Sequence, residues 1–178
     1  GGAQVTNDLS IMLKTPMEAA ERIKREAGCC YAPMVEEGEP VIIPGVGGRP
    51  PLQAKRSDIA NIIQPRMAEI LTMVRDKVQK KGYLKRLFGG VVLTGGGALM
   101  PGAVELAQEV FHTAARVGMP GNYHGVDDIY RSPEYSTAVG LALFAEEAMG
   151  HETREASVKP KSGGMLTGLR GWLRNFFE

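Results

Sequence analysis

Two groups of residues in this 178-residue chain have the types and spacing that binding chemistry requires. The first comprises Glu21 and Lys24, within Ala20-Glu21-Arg22-Ile23-Lys24-Arg25-Glu26-Ala27-Gly28, and the run Thr94-Gly95-Gly96-Gly97-Ala98. Residues three apart on a helix project from one side. A carboxylate there can accept hydrogen bonds from sugar hydroxyls, and a lysine beside it supplies charge and donors. A solvated ion pair has the same spacing, and the pair alone favours that simpler reading. In the glycine run, the missing side chains let the backbone approach a ligand closely, and amides near a helix start meet negative charge. Any tight strand-to-helix turn also uses glycine. No Gly-Lys-Ser/Thr follows, so the run is not a Walker A loop, and its third glycine is misplaced for the dinucleotide fingerprint.

The second group closes the chain. Leu166, Leu169, Trp172, Leu173, Phe176 and Phe177 recur at three- and four-residue intervals, and Arg170 and Arg174 fall on the opposite side of the same helix. A basic polar face opposed by Trp and Phe suits a helix lying in a membrane interface, with the arginines at anionic head groups. A terminal helix docked on its own domain shows much the same pattern. The polar tether before it and the bulky aromatics at its end tilt the reading toward the membrane.

Composition limits the alternatives. The length suits one ordinary domain with a real core. A formal charge of +1 argues against a general nucleic-acid-binding role. Cys29 and Cys30 are adjacent and are the sole cysteines, which reads as two small buried residues, with neither a disulfide framework nor metal-ligand spacing. No apolar run approaches the roughly 20 residues of a spanning helix. The start at Gly1-Gly2, without methionine, suggests a piece of a longer polypeptide.

Strands alternating with helices must position these groups, so the fold class is α/β. Apolar spacing predicts a helix over residues 5–14 and a second from Pro16 to about Ala27, stopped by Gly28. Two short strands are expected between residues 30 and 43, turning at Glu36-Glu37-Gly38-Glu39, followed by a Gly/Pro-rich loop over 44–51. A long amphipathic helix begins at Ser57-Asp58 and ends near Gly82, with Pro65 as a kink or boundary. Residues 91–93 form a short buried strand, 94–98 the glycine turn, 101–111 a helix and 114–117 another strand. Pro133 opens a last core helix through residue 149, with Ala138, Leu141, Ala142 and Ala145 packed inward. Residues 150–164 read as a flexible linker and 165–178 as the amphipathic membrane-targeting helix.

With the glycine turn and the facing helix together, the chain resembles the actin, sugar-kinase and heat-shock-ATPase superfamily. It is more similar still to the C-terminal half of the FtsA family of bacterial actin-like division proteins. The residues that carry the match are Gly1-Gly2-Ala3-Gln4-Val5-Thr6-Asn7-Asp8-Leu9, Pro44-Gly45-Val46-Gly47-Gly48-Arg49-Pro50-Pro51, Ile62-Ile63-Gln64-Pro65-Arg66, residues 91–101 and 133–143, and the terminal helix.

The resemblance implies an actin-like fold represented by its C-terminal lobe over residues 1–149, with about 12–81 as a smaller inserted subdomain. It further implies a protein that binds ATP, with Mg2+ in the full-length protein, polymerises, and tethers filaments of the tubulin-like FtsZ to the cytoplasmic face of the inner membrane at the septum. On that analogy Glu21 and Lys24 line the adenosine pocket opposite Gly95, Gly96, Gly97 and Ala98. The hairpin and the long helix become the FtsZ surface, with Arg56 and Arg66 as exposed-charge candidates, and an ordinary solvated face serves equally for each.

Family members carry an N-terminal lobe with a first phosphate loop, and a second phosphate loop before the segment seen here. Neither is present in this sequence, so no catalytic residue is named and at most weak ATPase activity is expected. The rival reading is a soluble sugar- or acetate-kinase-like enzyme fragment of the same superfamily. Such an enzyme has no need of a tethered interfacial helix.

Overall fold

The computed structural model describes residues 1–36, 38, 40–121 and 127–155, with side chains as far as residue 148. Gly1–Val139 form one compact unit, and the described residues from Gly140 onward belong to a second.

Helix α1 (Gly2–Leu13) buries Val5 and Leu9, one turn apart, with Thr6 beside them. It stops at Lys14, whose left-handed backbone turns its N–H back to the carbonyls of Ser10 and Ile11. Helix α2 (Met17–Ala27) follows, with Pro16 as its N-cap rather than in its first turn, and buries Ala20 and Ile23 against α1. Gly28 ends it, as the sequence implies.

The strands that come next differ from expectation. Residues Ala32–Met34 form a 3-10 turn, and the antiparallel pair is β1 (Pro40–Ile43) with β2 (Leu52–Lys55), joined across the Gly/Pro-rich loop. The register runs from Pro40 opposite Lys55 to Ile43 opposite Leu52. Proline lacks the N–H that a ladder needs, so Pro33 suits a tight turn and Pro40 the first position of a strand.

Helix α3 (Arg56–Lys80) then runs 25 residues without interruption, with Pro65 inside it. Ile59, Ala60, Ile63 and Leu71 are buried, whereas Met73 is 60% and Val74 48% exposed, so the last turns of the helix leave the core. Strand β3 (Val91–Leu93) pairs in parallel with β4 (Ala115–Val117), and helix α4 (Ala103–Phe111) makes the crossover. Gly102 precedes α4 with φ 83°, and a Cβ there would lie 2.5 Å from the Cβ of Tyr31, so no larger residue fits. The core gathers Val5, Leu9, Ile23, Ile59, Ile63, Leu106 and Phe111 from α1, α2, α3 and α4.

Pro133–Tyr135 form a 3-10 turn that leads into α5 (Ser136–Glu155). The helix is where periodicity places it and continues to Glu155, beyond the expected start of the linker. Ala138, Leu141, Ala142 and Ala145 are exposed rather than packed inward, because no described residue covers them.

Candidate functional site

Glu21 and Lys24 sit on α2 where it faces α1. The Lys24 ammonium donates to Glu21 Oε2 at 2.6 Å, to Thr6 Oγ1 at 3.0 Å and to the Gly2 carbonyl at 3.3 Å. These three acceptors match its three N–H bonds. The Thr6 hydroxyl donates to Glu21 Oε2 at 2.5 Å. Together these bonds form a polar clasp between the two helices. Lys24 and Thr6 both favour the ionised carboxylate, in that order, and hold the Glu21 pKa below its ordinary value against a smaller opposing effect of burial. Both bonds converge on Oε2; among the described residues nothing bonds to Oε1, which is the atom a hydroxyl-bearing ligand would meet. Lys24, only 12% exposed in its side chain, is committed to the clasp, while Glu21 is 44% exposed.

Across from α2, the glycine turn leaves β3. Thr94 Oγ1 lies 2.6 Å from Ser136 Oγ and donates to the Gly118 carbonyl at 3.0 Å, and the Gly95 N–H donates to the Pro133 carbonyl at 3.0 Å. These bonds fix the turn against the segment that opens α5. Gly96 and Gly97 then face a cavity of about 440 Å³ that also receives Glu21 and Lys24, so the two groups singled out in the sequence share one site. That volume falls in the range of small-molecule sites, roughly 300–1,000 Å³.

The four residues of the turn differ in what they offer. A Cβ at Gly97 would meet nothing within 4 Å, and one at Gly96 only Glu134 Cβ at 3.9 Å, so both edges are open. Gly95 is held by its φ of 86°, outside the cavity lining, and Ala98 is buried, also outside it.

Several lining residues escape sequence reading. Arg25 stands one turn beyond Glu21 and, among the described residues, makes no ion pair. Met67 from α3, together with Leu99 and Met100, supplies an apolar wall. Glu134 closes the rim. Helical spacing points to Arg25; nothing local points to Met67, which arrives from α3.

These residues fit the base and sugar of a nucleotide: apolar side chains for a flat ring, a carboxylate oxygen for hydroxyls, and bare backbone for close approach. No group of three His, Cys, Asp or Glu side chains that could hold a metal ion occurs among the described residues.

The partner candidates are placed differently. Arg66 holds Asp8 of α1 through Nε (2.6 Å) and a second guanidinium nitrogen (3.2 Å), and also pairs with Glu69. Asp8 is the main cause of its raised pKa. Arg56 Nε donates to the Ala27 carbonyl at the end of α2 at 3.1 Å. Both arginines therefore bridge elements of this chain. The tail residues 166–177 lie outside the described residues; among those described, no helix is long and apolar enough to cross a membrane.

Comparison with known proteins agrees with this architecture. The structure superposes on MreB5 of Spiroplasma citri bound to AMPPNP with a TM-score of 0.61 at 13% identity, covering 86% of this chain and 46% of that one. Superposition on MreB5 of the same organism bound to ADP gives a TM-score of 0.59 at 14% identity, covering 83% and 45%. The fold is thus α/β and actin-like, represented in part.

In sequence, cell division protein FtsA of Pseudomonas aeruginosa is 43% identical over 143 residues, 80% of this chain and 34% of that protein. Its counterpart in Escherichia coli K12 is 38% identical over 185 residues, 99% of this chain and 44% of that protein. The chain spans less than half the length of these relatives. The family model described as "Cell division protein FtsA" matches residues 1–140, and with it the chain belongs to the FtsA family.

Proposed function

We propose that this chain is the C-terminal portion of an ATP-binding, actin-like division adaptor that tethers FtsZ filaments to the cytoplasmic face of the inner membrane at the septum. One observation carries the nucleotide part: Glu21 and the Gly96-Gly97 edge converge on one cavity with an apolar wall. In this reading the base lies between the glycine edge and Met67 and Met100, Glu21 Oε1 accepts from a sugar hydroxyl, and Lys24 acts through the clasp by holding Glu21 ionised. Arg25 is the cation nearest to hand for phosphate. ATP with Mg2+ would supply a charge-dependent switch when bound, and the metal would be held by the phosphates and by groups beyond this segment. The protein hydrolyses ATP weakly if at all and acts through assembly: self-association into filaments, FtsZ on the β1–β2 and α3 side, and an anionic membrane at residues 165–178.

Calorimetric titration of the chain with adenosine, ADP and ATP tests the pocket. All three should bind weakly, ADP and ATP more tightly than adenosine by no more than several-fold, because most contacts here address base and sugar and Arg25 is the cation placed for phosphate. Glu21→Ala should weaken binding several-fold. Gly97→Ala, whose Cβ meets no atom within 4 Å, should do so without lowering thermal stability. Unchanged affinity in both variants would remove the nucleotide from this cavity.

A further inference from the structure

The strongest charge asymmetry in the chain lies away from the nucleotide cavity, in the segment joining α3 to β3. Residues 77–90 carry Lys77, Lys80, Lys81, Lys85 and Arg86 and no acidic residue, while the chain as a whole is only +1, so the remainder is net negative. All five cations are exposed, and among the described residues none makes an ion pair. Lys77 and Lys80 lie in the last turn of α3, where positive charge complements the helix dipole. That local role does not extend to Lys85 and Arg86, which lie beyond the helix.

The segment is anchored to the core at two places. Leu84 and Leu87, three residues apart, pack against the core. Gly90, with φ 76°, passes so close to the Ala114 carbonyl that a Cβ would lie 2.3 Å from its oxygen, which pins the far end. With the two leucines turned inward, Lys85, Arg86 and Phe88 face solvent, and the Arg86 guanidinium sits 6.0 Å from the Tyr83 ring centre. Phe88 is 94% exposed, the highest exposure among the large apolar side chains described.

We propose that this segment is a second membrane contact, with Phe88 inserted at the acyl boundary and the five cations on anionic lipid head groups. The charge distribution favours a lipid surface over nucleic acid: a bilayer can meet the patch alone, whereas an extended polyanion would run onto the net-negative remainder. Phe88 has no polar tip, which suits burial in hydrocarbon. Lysines and arginines near an anionic surface strengthen partition by roughly fivefold each at moderate salt. The proposal shares with the tether reading only the premise that the chain meets a bilayer; it does not depend on the tail.

The test uses the whole chain carrying Trp172→Phe and Phe88→Trp, which leaves a single tryptophan at position 88. With vesicles of phosphatidylglycerol and phosphatidylcholine, emission from position 88 should shift to the blue and be quenched by brominated acyl chains, with little response to phosphatidylcholine alone. In the natural background, co-sedimentation of a Lys80→Gln, Lys81→Gln, Lys85→Gln, Arg86→Gln variant should fall on the order of a hundredfold or more and become less dependent on salt. Trp172→Glu separately reports the tail: residual partition in that variant that disappears with Phe88→Ser is the expected result. Emission at position 88 that does not move while the chain co-sediments would overturn the proposal, as would burial of that position by a protein or RNA with vesicles having no effect. Circular dichroism unchanged in each variant confirms that exposed positions were altered without loss of fold.

Discussion

The Glu21 carboxylate holds two helices together at the edge of the cavity where the nucleotide is proposed to bind. Its folded pKa lies below the ordinary value of 4.5, chiefly through Lys24 and then Thr6. A depressed carboxylate stabilises the fold at pH above its unfolded pKa, and that contribution is lost as the pH falls through the lower folded pKa. Removing the Thr6 hydroxyl takes away one of the two bonds to Oε2, so Thr6→Ala should move the Glu21 titration upward toward 4.5, as read by carboxylate NMR.

Cys30 shows the opposite effect of environment on an acid. Burial pushes its thiol to about 12, with a smaller contribution from Cys29, and its Sγ–H lies 3.4 Å from the Pro101 carbonyl. Here the folded state disfavours the thiolate, so stability falls as pH rises above the unfolded value near 9.0. Alkylation at mildly alkaline pH should leave Cys30 unmodified in the folded chain and modify it rapidly in denaturant. The sequence offered both residues and the spacing of Glu21 with Lys24; it did not offer Thr6 or Pro101, which come from distant parts of the chain.

At the scale of elements, α3 departs furthest from local expectation. Pro65 lacks an N–H for the carbonyl four residues earlier, and a proline inside a helix costs about 3 kcal/mol relative to alanine. The helix nevertheless runs through it, because tertiary contacts on both sides hold it. Ile59 and Ile63 are buried on one side of the proline and Leu71 on the other, Gln64 accepts from the Ala32 N–H at 2.7 Å, and Arg66 clamps Asp8. Pro65 itself is exposed, so Pro65→Ala should raise stability by about 1–3 kcal/mol in denaturant titration. A fall would mean that the packing depends on a bend at this residue. The hairpin makes the same point in reverse. The Glu36 to Glu39 run is a legible turn signal, yet β1 pairs across the longer loop, since a strand as short as Leu52–Lys55 gains its ladder only by meeting a partner. Helices α1, α2 and α4 and strand β3 were readable because their signals are local: an apolar period, a glycine or proline stop, adjacent β-branched residues at Val91 and Val92.

At the scale of the molecule, the described residues form two sheets of two strands each, and Val92 on β3 is 49% exposed. A sheet this small has open edges that invite pairing, which accords with a chain that spans less than half of its relatives. The proposed tail adds an energetic argument. Burying a large apolar side chain yields about 1.5–3 kcal/mol, and ordering the backbone costs about 1–2 kcal/mol per residue; the two largely offset each other, so one tail by itself would bind a membrane weakly and reversibly. Several tails on one filament would act together and bind firmly. Trp172→Glu should therefore reduce liposome co-sedimentation of the chain sharply, and a tail fused to a dimeric carrier should bind much more tightly than one fused to a monomer. Equal binding by the two carriers would contradict the multivalent scheme.

The sequence by itself determined the helical segments, the glycine turn, the amphipathic pattern of the tail and the family, because each resides in residue types at short spacing. The tertiary structure alone decided that Lys24 belongs to a clasp with α1, that Gly96 and Gly97 face the cavity while Gly95 and Ala98 do not, that Met67 joins it, and that Arg56 and Arg66 bridge elements. The reason is physical. Periodicity assigns a side chain to a face of its own element, whereas the group that face meets depends on how elements distant in sequence pack together.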